Sequence, residues 1–461
     1  MNKNKELVKN TIIIFIGKAC TQFITILLLP LYTKYLISSE FGIVDLVITY
    51  ISLFVPILSL DLEMAAFRFL VDKRKDIEES KRIITTILFT LTVIAIFCTI
   101  LFIPLSFFLN IKYKYLIYIV IIMSYFSQYF IQVSRGLGKN INYSISCCIN
   151  GITTVFLNVI FIPVLKMEAD GMLLSMIIAN IMTISYLFYS LDLKKYISFN
   201  AIRLNYLKEI LSYSIPLIPN GISWWIVNAS DRTIISIMLS VSANGIYAVS
   251  NKFSSLFIGV FNVFQLSWAE SVSLHVNEND SNRFISNVIN IVLKAFTCLG
   301  MLLIAVMPIV FRLFIDDKYN AALDNVPILI VAMIFNVAVG LYSAIYIAKK
   351  MTKQVMNTSI VSAIVNIIIN LLLISYIGLY AASISTLIAY AVMAIYRHFD
   401  IKKMIDIHLD RKYMFKSVIL MIVIFALFYQ KNVYCTIMMI LIALVECLLN
   451  FKYILKLVKL K

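Results

Sequence analysis

Charge is what this chain has least of. Asp, Glu, Lys and Arg make up 14% of its 461 residues, while 61% are hydrophobic. Soluble domains run near a quarter charged and half apolar, so this composition cannot build a water-facing surface throughout. Histidine is nearly absent: His275, His398 and His408 are the only three, and all are expected in cytoplasmic loops in solvated structural roles. The seven cysteines (Cys20, Cys98, Cys147, Cys148, Cys298, Cys435, Cys447) show no CxxC or Cys/His spacing. Each falls in an apolar segment and reads as a small buried hydrophobe. No Walker motif, GxSxG, HExxH or zinc-type cluster occurs, which argues against an enzyme, a bound metal or cofactor, and direct use of ATP. The ten-residue alternation of a membrane β-barrel is missing as well.

Long apolar runs, in contrast, recur along the whole length. A helix needs about 20 apolar residues to cross a bilayer. Fourteen such spans are expected, at 11–36, 42–62, 83–109, 115–134, 143–165, 171–191, 211–239, 246–267, 286–311, 325–348, 356–375, 378–396, 413–429 and 433–451. The expected fold is an all-α integral membrane protein. The basic stretch MNKNKELVKN leads directly into the first apolar run and reads as part of a membrane anchor, not a cleaved signal. The net charge of +16 is gathered in short loops, which is a topology signal and not a nucleic-acid footprint. Counted on alternating sides, 28 Lys and Arg lie with the N-terminus and 7 opposite. Five more (Lys18, Arg232, Lys252, Lys294, Lys416) fall within spans. Positive charge stays inside, so both termini are expected in the cytoplasm of a multi-pass inner (plasma) membrane protein. No outer loop is long enough for an external domain, so any activity belongs to the helix bundle.

The chain also repeats itself. Sliding residues 30–50 onto 233–253 aligns Leu36, Ser39, Gly42 and Ile43 with Leu239, Ser242, Gly245 and Ile246. Both stretches are an outer turn joining the first two spans of a set of six. Asn158 of span five likewise meets Asn370 of span eleven. Six spans between copies give a parallel repeat, so the expected architecture is two pseudo-twofold six-helix lobes, as in alternating-access transporters. The domains would be 1–195 (spans one to six), 196–400 (spans seven to twelve), and 401–461 with two added helices and a tail.

Ionisable residues inside a span cost roughly 2.5–3.5 kcal/mol on insertion scales and point to function by default. The stretch NASDRTIISIMLSVSANGIYAVSNKF holds three of them. Arg232 and Lys252 lie equally far from the turn near Ser242, on neighbouring helices, with Asp231 beside them. Either Asp231 pairs with Lys252 to lock the hairpin, or the trio presents net positive charge to an anionic group. Lys18 and Lys294, eight or nine residues into their spans, either snorkel or line a cleft. Asp45, Asp61, Glu63 and Glu270 sit near span ends and read as solvated. Glu446 is expected to pair with a loop lysine. Pro216 and Pro219 should break span seven, and Pro30 and Pro56 should bend spans one and two.

Six segments, in this order, carry a family resemblance: YLISSEFGIVDLVITY, LEMAAFRFLVD, SYSIPLIPNGISWW, DRTIISIMLSVSANGIYAVSNKF, FQLSWAES and NIIINLLLISYIGLYAASIST. Through them nearly the whole chain resembles the polysaccharide-transporter branch of the multidrug/oligosaccharidyl-lipid/polysaccharide flippase superfamily, and within it the flippases of O-antigen or capsule repeat units. The resemblance implies a MATE-like bundle of twelve core helices plus two. Its implied substrate is a lipid-linked oligosaccharide on undecaprenyl pyrophosphate, turned from the cytoplasmic to the outer leaflet of the phospholipid membrane. Partners would be the glycan polymerase and chain-length machinery, and no nucleic acid. Carried over by residue, it marks Arg232, Lys252, Arg68 and Lys18 as bases of a cationic cleft, which Lys294 joins by its place within span nine, and Asp231 as an ion-pairing or coupling acid. Two other readings stand beside it: a MATE-type small-molecule or cation antiporter, whose cleft would be acidic, and a membrane polymerase or glycosyl ligase, which would need a long outer loop.

Overall fold

The protein is described here from a computed structural model covering residues 27–451, apart from 277–279 and 350. Among these residues there is no strand. Two compact units form, Met1–Trp225 and Ile226–Lys461. The first holds α1 (Leu29–Tyr35), α2 (Ser38–Leu58), α3 (Leu62–Lys73), α4 (Ile77–Phe108), α5 (Lys114–Gly136), α6 (Asn140–Val159), α7 (Ala169–Ser190) and α8 (Leu204–Ser214). Helix α9 (Leu217–Met238) contains the boundary. The second holds α10 (Val241–His275), α11 (Ser281–Phe314), α12 (Val326–Ala348), α13 (Thr352–Ile377), α14 (Leu379–Lys402), α15 (Arg411–Phe428) and α16 (Val433–Leu449).

Nine helices among the described residues are long and apolar enough to cross a membrane, or ten if the bent pair 205–219 and 224–238 is one span. Most of the expected spans coincide with a helix to within a few residues. The first lies largely outside the described residues, as does Lys18. The bend in span seven measures 51° between 205–219 and 224–238, just after Pro216 and Pro219, whose lost hydrogen bonds weaken the helix there. Pro163 accompanies a second irregularity, the π-helical turn Ile160–Val164 that extends α6.

The repeat has a structural counterpart. Helix α1 ends at Tyr35 and α9 at Met238, while α2 begins at Ser38 and α10 at Val241. Both pairs keep the offset of the sequence match. Within each unit the packing also follows one scheme. In the first, α3 packs on α5, α5 on α7, and α6 on α7. In the second, α10 packs on α12, α12 on α14, and α13 on α14. The tightest of these contacts is at Gly340 of α12, where a Cβ would stand 2.4 Å from the ring of Phe261 on α10.

Three expectations are corrected. Span two does not run unbroken to residue 62. It stops at Leu58, and Leu60 and Asp61 both adopt φ of 53°. A left-handed non-glycine residue costs roughly 1–2 kcal/mol, so tertiary packing must hold this joint. It does so by packing α3 on α4 and α5, with Leu62, Ala65, Ala66 and Leu70 in the core. The solvated reading of Asp45, Asp61 and Glu63 is overturned as well: they are 3%, 8% and 6% exposed, Asp61 and Glu63 at this joint and Asp45 on α2, which packs on α5 and α7. Finally, Arg397 and His398 are not in a loop. Both lie in α14, Arg397 fully buried and His398 half-buried with its Nδ1 3.0 Å from the Tyr342 hydroxyl.

Arg397 meets only neutral groups among the described contacts. Its Nε donates to Thr358 Oγ1 at 2.9 Å and its Nη1 to Val339 O at 3.1 Å and to the Ser343 hydroxyl. Nη2 donates to Val355 O and Ser359 Oγ, both at 3.3 Å. One guanidinium therefore ties α12, α13 and α14 together. A buried ion is tolerable only when its hydrogen-bonding capacity is met in this way.

The C-terminal pair α15–α16 docks on α11 through polar residues four apart. The Ser286 hydroxyl accepts from His408 N–H at 3.0 Å, and Asn290 bonds His408 O and Asp410 N–H at 2.7 and 2.9 Å. Lys294 Nζ then donates to Asp410 Oδ2 at 2.6 Å. Lys294 and the Tyr413 N–H together hold the Asp410 carboxyl below its ordinary range. Glu446, 2% exposed, pairs at 2.5 Å with Lys416, which lies within α15 and not in a loop.

Glu63 supports a stability prediction. Its Oε2 is buried and accepts no hydrogen bond, and burial pushes the carboxyl up to about 7. A group raised in the folded state is held protonated there, so folding is penalised as pH climbs from the ordinary carboxylate range towards 7. Glu63→Gln should unfold at a higher temperature than the wild type above pH 7, and should flatten the pH dependence in that window. A thermal scan of detergent-solubilised protein across pH checks this.

Candidate functional site

Three helices of the second unit each contribute polar residues about one turn apart. They are Asn228 and Asp231 on α9, Asn366 and Asn370 on α13, and Thr386 and Tyr390 on α14. Spacings of three or four residues put each pair on one helix face, and the apolar remainder of each helix turns those faces to one another. The Asp231 carboxylate is the centre. Its Oδ1 accepts from Asn370 Nδ2 at 3.0 Å, and its Oδ2 from Thr386 Oγ1 at 2.6 Å. Tyr247 of α10 adds a longer bond to Oδ2 at 3.4 Å. A second layer follows: Tyr390 donates to Asn228 Oδ1 at 2.6 Å, and Asn366 Nδ2 reaches Thr386 Oγ1 at 3.4 Å.

Asp231, Tyr247, Asn366, Asn370, Thr386 and Tyr390 are all buried, and Asn228 is the exposed edge of the cluster. Each hydrogen bond to a charged group contributes about 1.5–3 kcal/mol, which is how a carboxylate persists there. Two acceptors remain unused: Asn366 Oδ1 and Asn370 Oδ1 are buried without a hydrogen bond. Carboxylate, amide and hydroxyl oxygens form a hard donor set, suited to a proton or a small alkali cation. Among the described residues no three His, Cys, Asp or Glu side chains converge, so a transition-metal centre has no ligands here.

The remaining expected residues fall in different places. Arg232 and Lys252 are half-buried on the α9–α10 hairpin. Lys294 is 8% exposed and paired with Asp410. Arg68 is exposed and paired with Asp72 one turn along α3, at 2.6 Å. Sequence reasoning found Asp231 and the Asn158–Asn370 correspondence but missed Asn366, Thr386, Tyr390 and Tyr247. The available signal was the NIIIN spacing of Asn366 and Asn370, two amides one turn apart in an otherwise apolar run.

Removing a donor from a buried carboxylate leaves an unmet charge, at a cost of about 1–3 kcal/mol. Asn370→Leu and Thr386→Val should each destabilise the protein by that amount. Asp231→Asn removes the charge itself and should cost less than the combined variant Asn370→Leu/Thr386→Val. Thermal unfolding of the purified variants measures the order, and the reverse order would show that the carboxylate has a structural partner outside this cluster.

Three comparisons bear on this architecture. The family model described as polysaccharide biosynthesis protein matches residues 7–268. No curated protein matches the chain. Among solved structures, the lipid II flippase MurJ in an inward closed conformation is similar with a TM-score of 0.73 and 15% identity, over 97% of this chain and 99% of that one. An inward-facing multidrug resistance MATE family transporter of the MOP superfamily gives 0.64 and 15%, over 83% and 95%. A MOP superfamily transporter from Pyrococcus furiosus gives 0.54 and 15%, over 86% and 95%. At such identity the likeness shows a shared fold.

Proposed function

We propose, from the premise that the chain belongs to the polysaccharide biosynthesis protein family, that it turns lipid-linked oligosaccharides across the membrane. The substrate class is an O-antigen or capsule repeat unit on undecaprenyl pyrophosphate. Movement is from the cytoplasmic to the outer leaflet of the inner membrane, with both termini in the cytoplasm. On the outer face the unit passes to the polymerase and chain-length machinery. The observation that carries this reading is the fold shared with a lipid II flippase over almost the full length of both chains.

The chemistry is consistent with it. A diphosphate headgroup with sugars attached pays a large desolvation penalty in hydrocarbon. A hydrated, cationic path in the helix bundle lowers that barrier, while the polyprenyl tail stays in lipid. Arg232 and Lys252 are the bases proposed for the phosphates, because they sit half-buried on one hairpin beside the Asp231 cluster. Arg68 and Lys294 each hold an acid in this structure and enter only if those pairs open. Asp231 is the proposed coupling acid: gaining a proton or a small cation changes the charge beside the two bases. The similarity to MATE transporters supports a second reading, a small-molecule antiporter of the same architecture.

Deleting the gene should make undecaprenyl-linked glycan accumulate and surface polymer disappear, as read by lipid extraction. Arg232→Ala and Lys252→Ala should fail to restore export at normal protein levels. An intact surface polymer in the deletion strain would favour the antiporter. Full export by both variants would remove these bases from the transport path.

A further inference from the structure

On the flank of the first unit, α6 and α7 enclose an open groove of about 420 Å³, within the range of roughly 300–1,000 Å³ typical of ligand sites. Its walls are mainly apolar. Ile149 and Ile152 come from α6, and Met182, Tyr186 and Tyr189 from α7. The α6 wall continues as a ridge towards the helix start, through exposed Ile145 and Ile141. Asn150 and Thr183 tie the two helices together at 3.2 Å. No part of the Asp231 cluster, and none of the proposed phosphate-binding bases, lies on these helices.

Two features specify an occupant. The first is length. From Ile141 to Ile152 the ridge spans about 16 Å of helix, close to the roughly 15 Å depth of one hydrocarbon leaflet. An acyl chain fits that depth, whereas an undecaprenyl chain is far longer. The second is charge. On α7 the groove runs to the helix end, where Tyr186 and Tyr189 stand at the level favoured by interfacial aromatics, and on α6 the exposed ridge carries on from it to the helix start. Just beyond are two exposed bases, Lys139 preceding α6 and Lys194 following α7. Neither is in an ion pair among the described residues, whereas neighbouring Lys195 pairs with Asp192 at 2.5 Å. Lys139 also stands at the positive end of the α6 dipole.

We propose that this groove is a resident site for an anionic glycerophospholipid, one acyl chain along the Ile141–Ile152 ridge and its phosphate between Lys139 and Lys194. The leaflet it belongs to, the cytoplasmic one, follows from the orientation proposed above; binding itself does not depend on that orientation or on the flippase reading.

The test is native mass spectrometry of the full chain released from vesicles of phosphatidylcholine mixed with phosphatidylglycerol. Wild type should retain phosphatidylglycerol about tenfold over phosphatidylcholine, a preference of about 1.4 kcal/mol supplied jointly by the two lysines near the anionic headgroup. The surface variant Lys139→Glu/Lys194→Glu and the groove-filling Ile149→Trp should both lose that preference. Ile149→Ala, which fills nothing, serves as a control for folding and should keep it. Equal retention of the two lipids by wild type would overturn the proposal, and so would a preference that survives both variants. Preferential retention of undecaprenyl phosphate over phosphatidylglycerol would also overturn it, assigning the groove to substrate instead. Glycan export by the lysine variant is expected at the wild-type level, which separates this site from the transport path.

Discussion

A carboxylate placed among membrane helices must be met by donors on its neighbours, because the hydrocarbon offers no water to meet it. Asp231 imposes that condition on the second unit. Donors from α10, α13 and α14 converge on one residue of α9, and the register of four helices is thereby linked at a single depth. The apolar contacts around it supply most of the burial but little specificity of register, since Leu, Ile and Val faces tolerate sliding. Directional bonds to one charge do not.

The internal repeat shows what is particular about this arrangement. In the first unit Asn158 of α6 donates to the Tyr32 hydroxyl of α1 at 2.8 Å. In the second, the matching Asn370 of α13 donates to Asp231 of α9. The same helices are bridged by the same amide in both units, and in both the amide Oδ1 is left without a hydrogen bond. The acceptor differs: a phenol in one copy and, one turn away on the matching helix, a carboxylate in the other. The scaffold is duplicated and its charge is not.

Much of the fold was legible in the sequence because hydrophobic run length alone locates spans, and here the runs are separated by short charged loops. The bend just after Pro216 and Pro219 was legible for a local reason too, a missing amide donor. The joint at Leu60 and Asp61 was not, since neither residue signals a left-handed turn and the energy that holds it comes from α4 and α5. Long-range pairing escaped as well. Lys294 meets Asp410 across 116 residues and Glu446 meets Lys416 across 30, distances at which no periodicity connects the partners. Arg397 was misplaced because a charge near the end of an apolar run looks the same in sequence whether it is solvated or enclosed. Of the site, the acid and one amide could be found; the hydroxyls could not, because Thr and Tyr are unremarkable residues in a membrane helix.

These placements divide the buried charges into two kinds. Arg397, Lys294 and Lys416 are each enclosed by several groups or faced by an acid, and each joins helices that belong to one unit. Removing any of them would loosen packing. Asp231 is bonded just as fully, yet its donors Tyr247, Asn370 and Thr386 are neutral, the Arg232 cation stands beside it, and two amide oxygens nearby stay unused. Such a shell can accommodate a change in the charge at its centre by turning an amide, without breaking a helix contact. The phenol of Tyr32, which the matching amide of the first unit meets, is uncharged at neutral pH and offers no such change. On the coupling role proposed for Asp231, the second unit carries the group that would take up a proton or cation, and the amide bridge of the first unit has no such group.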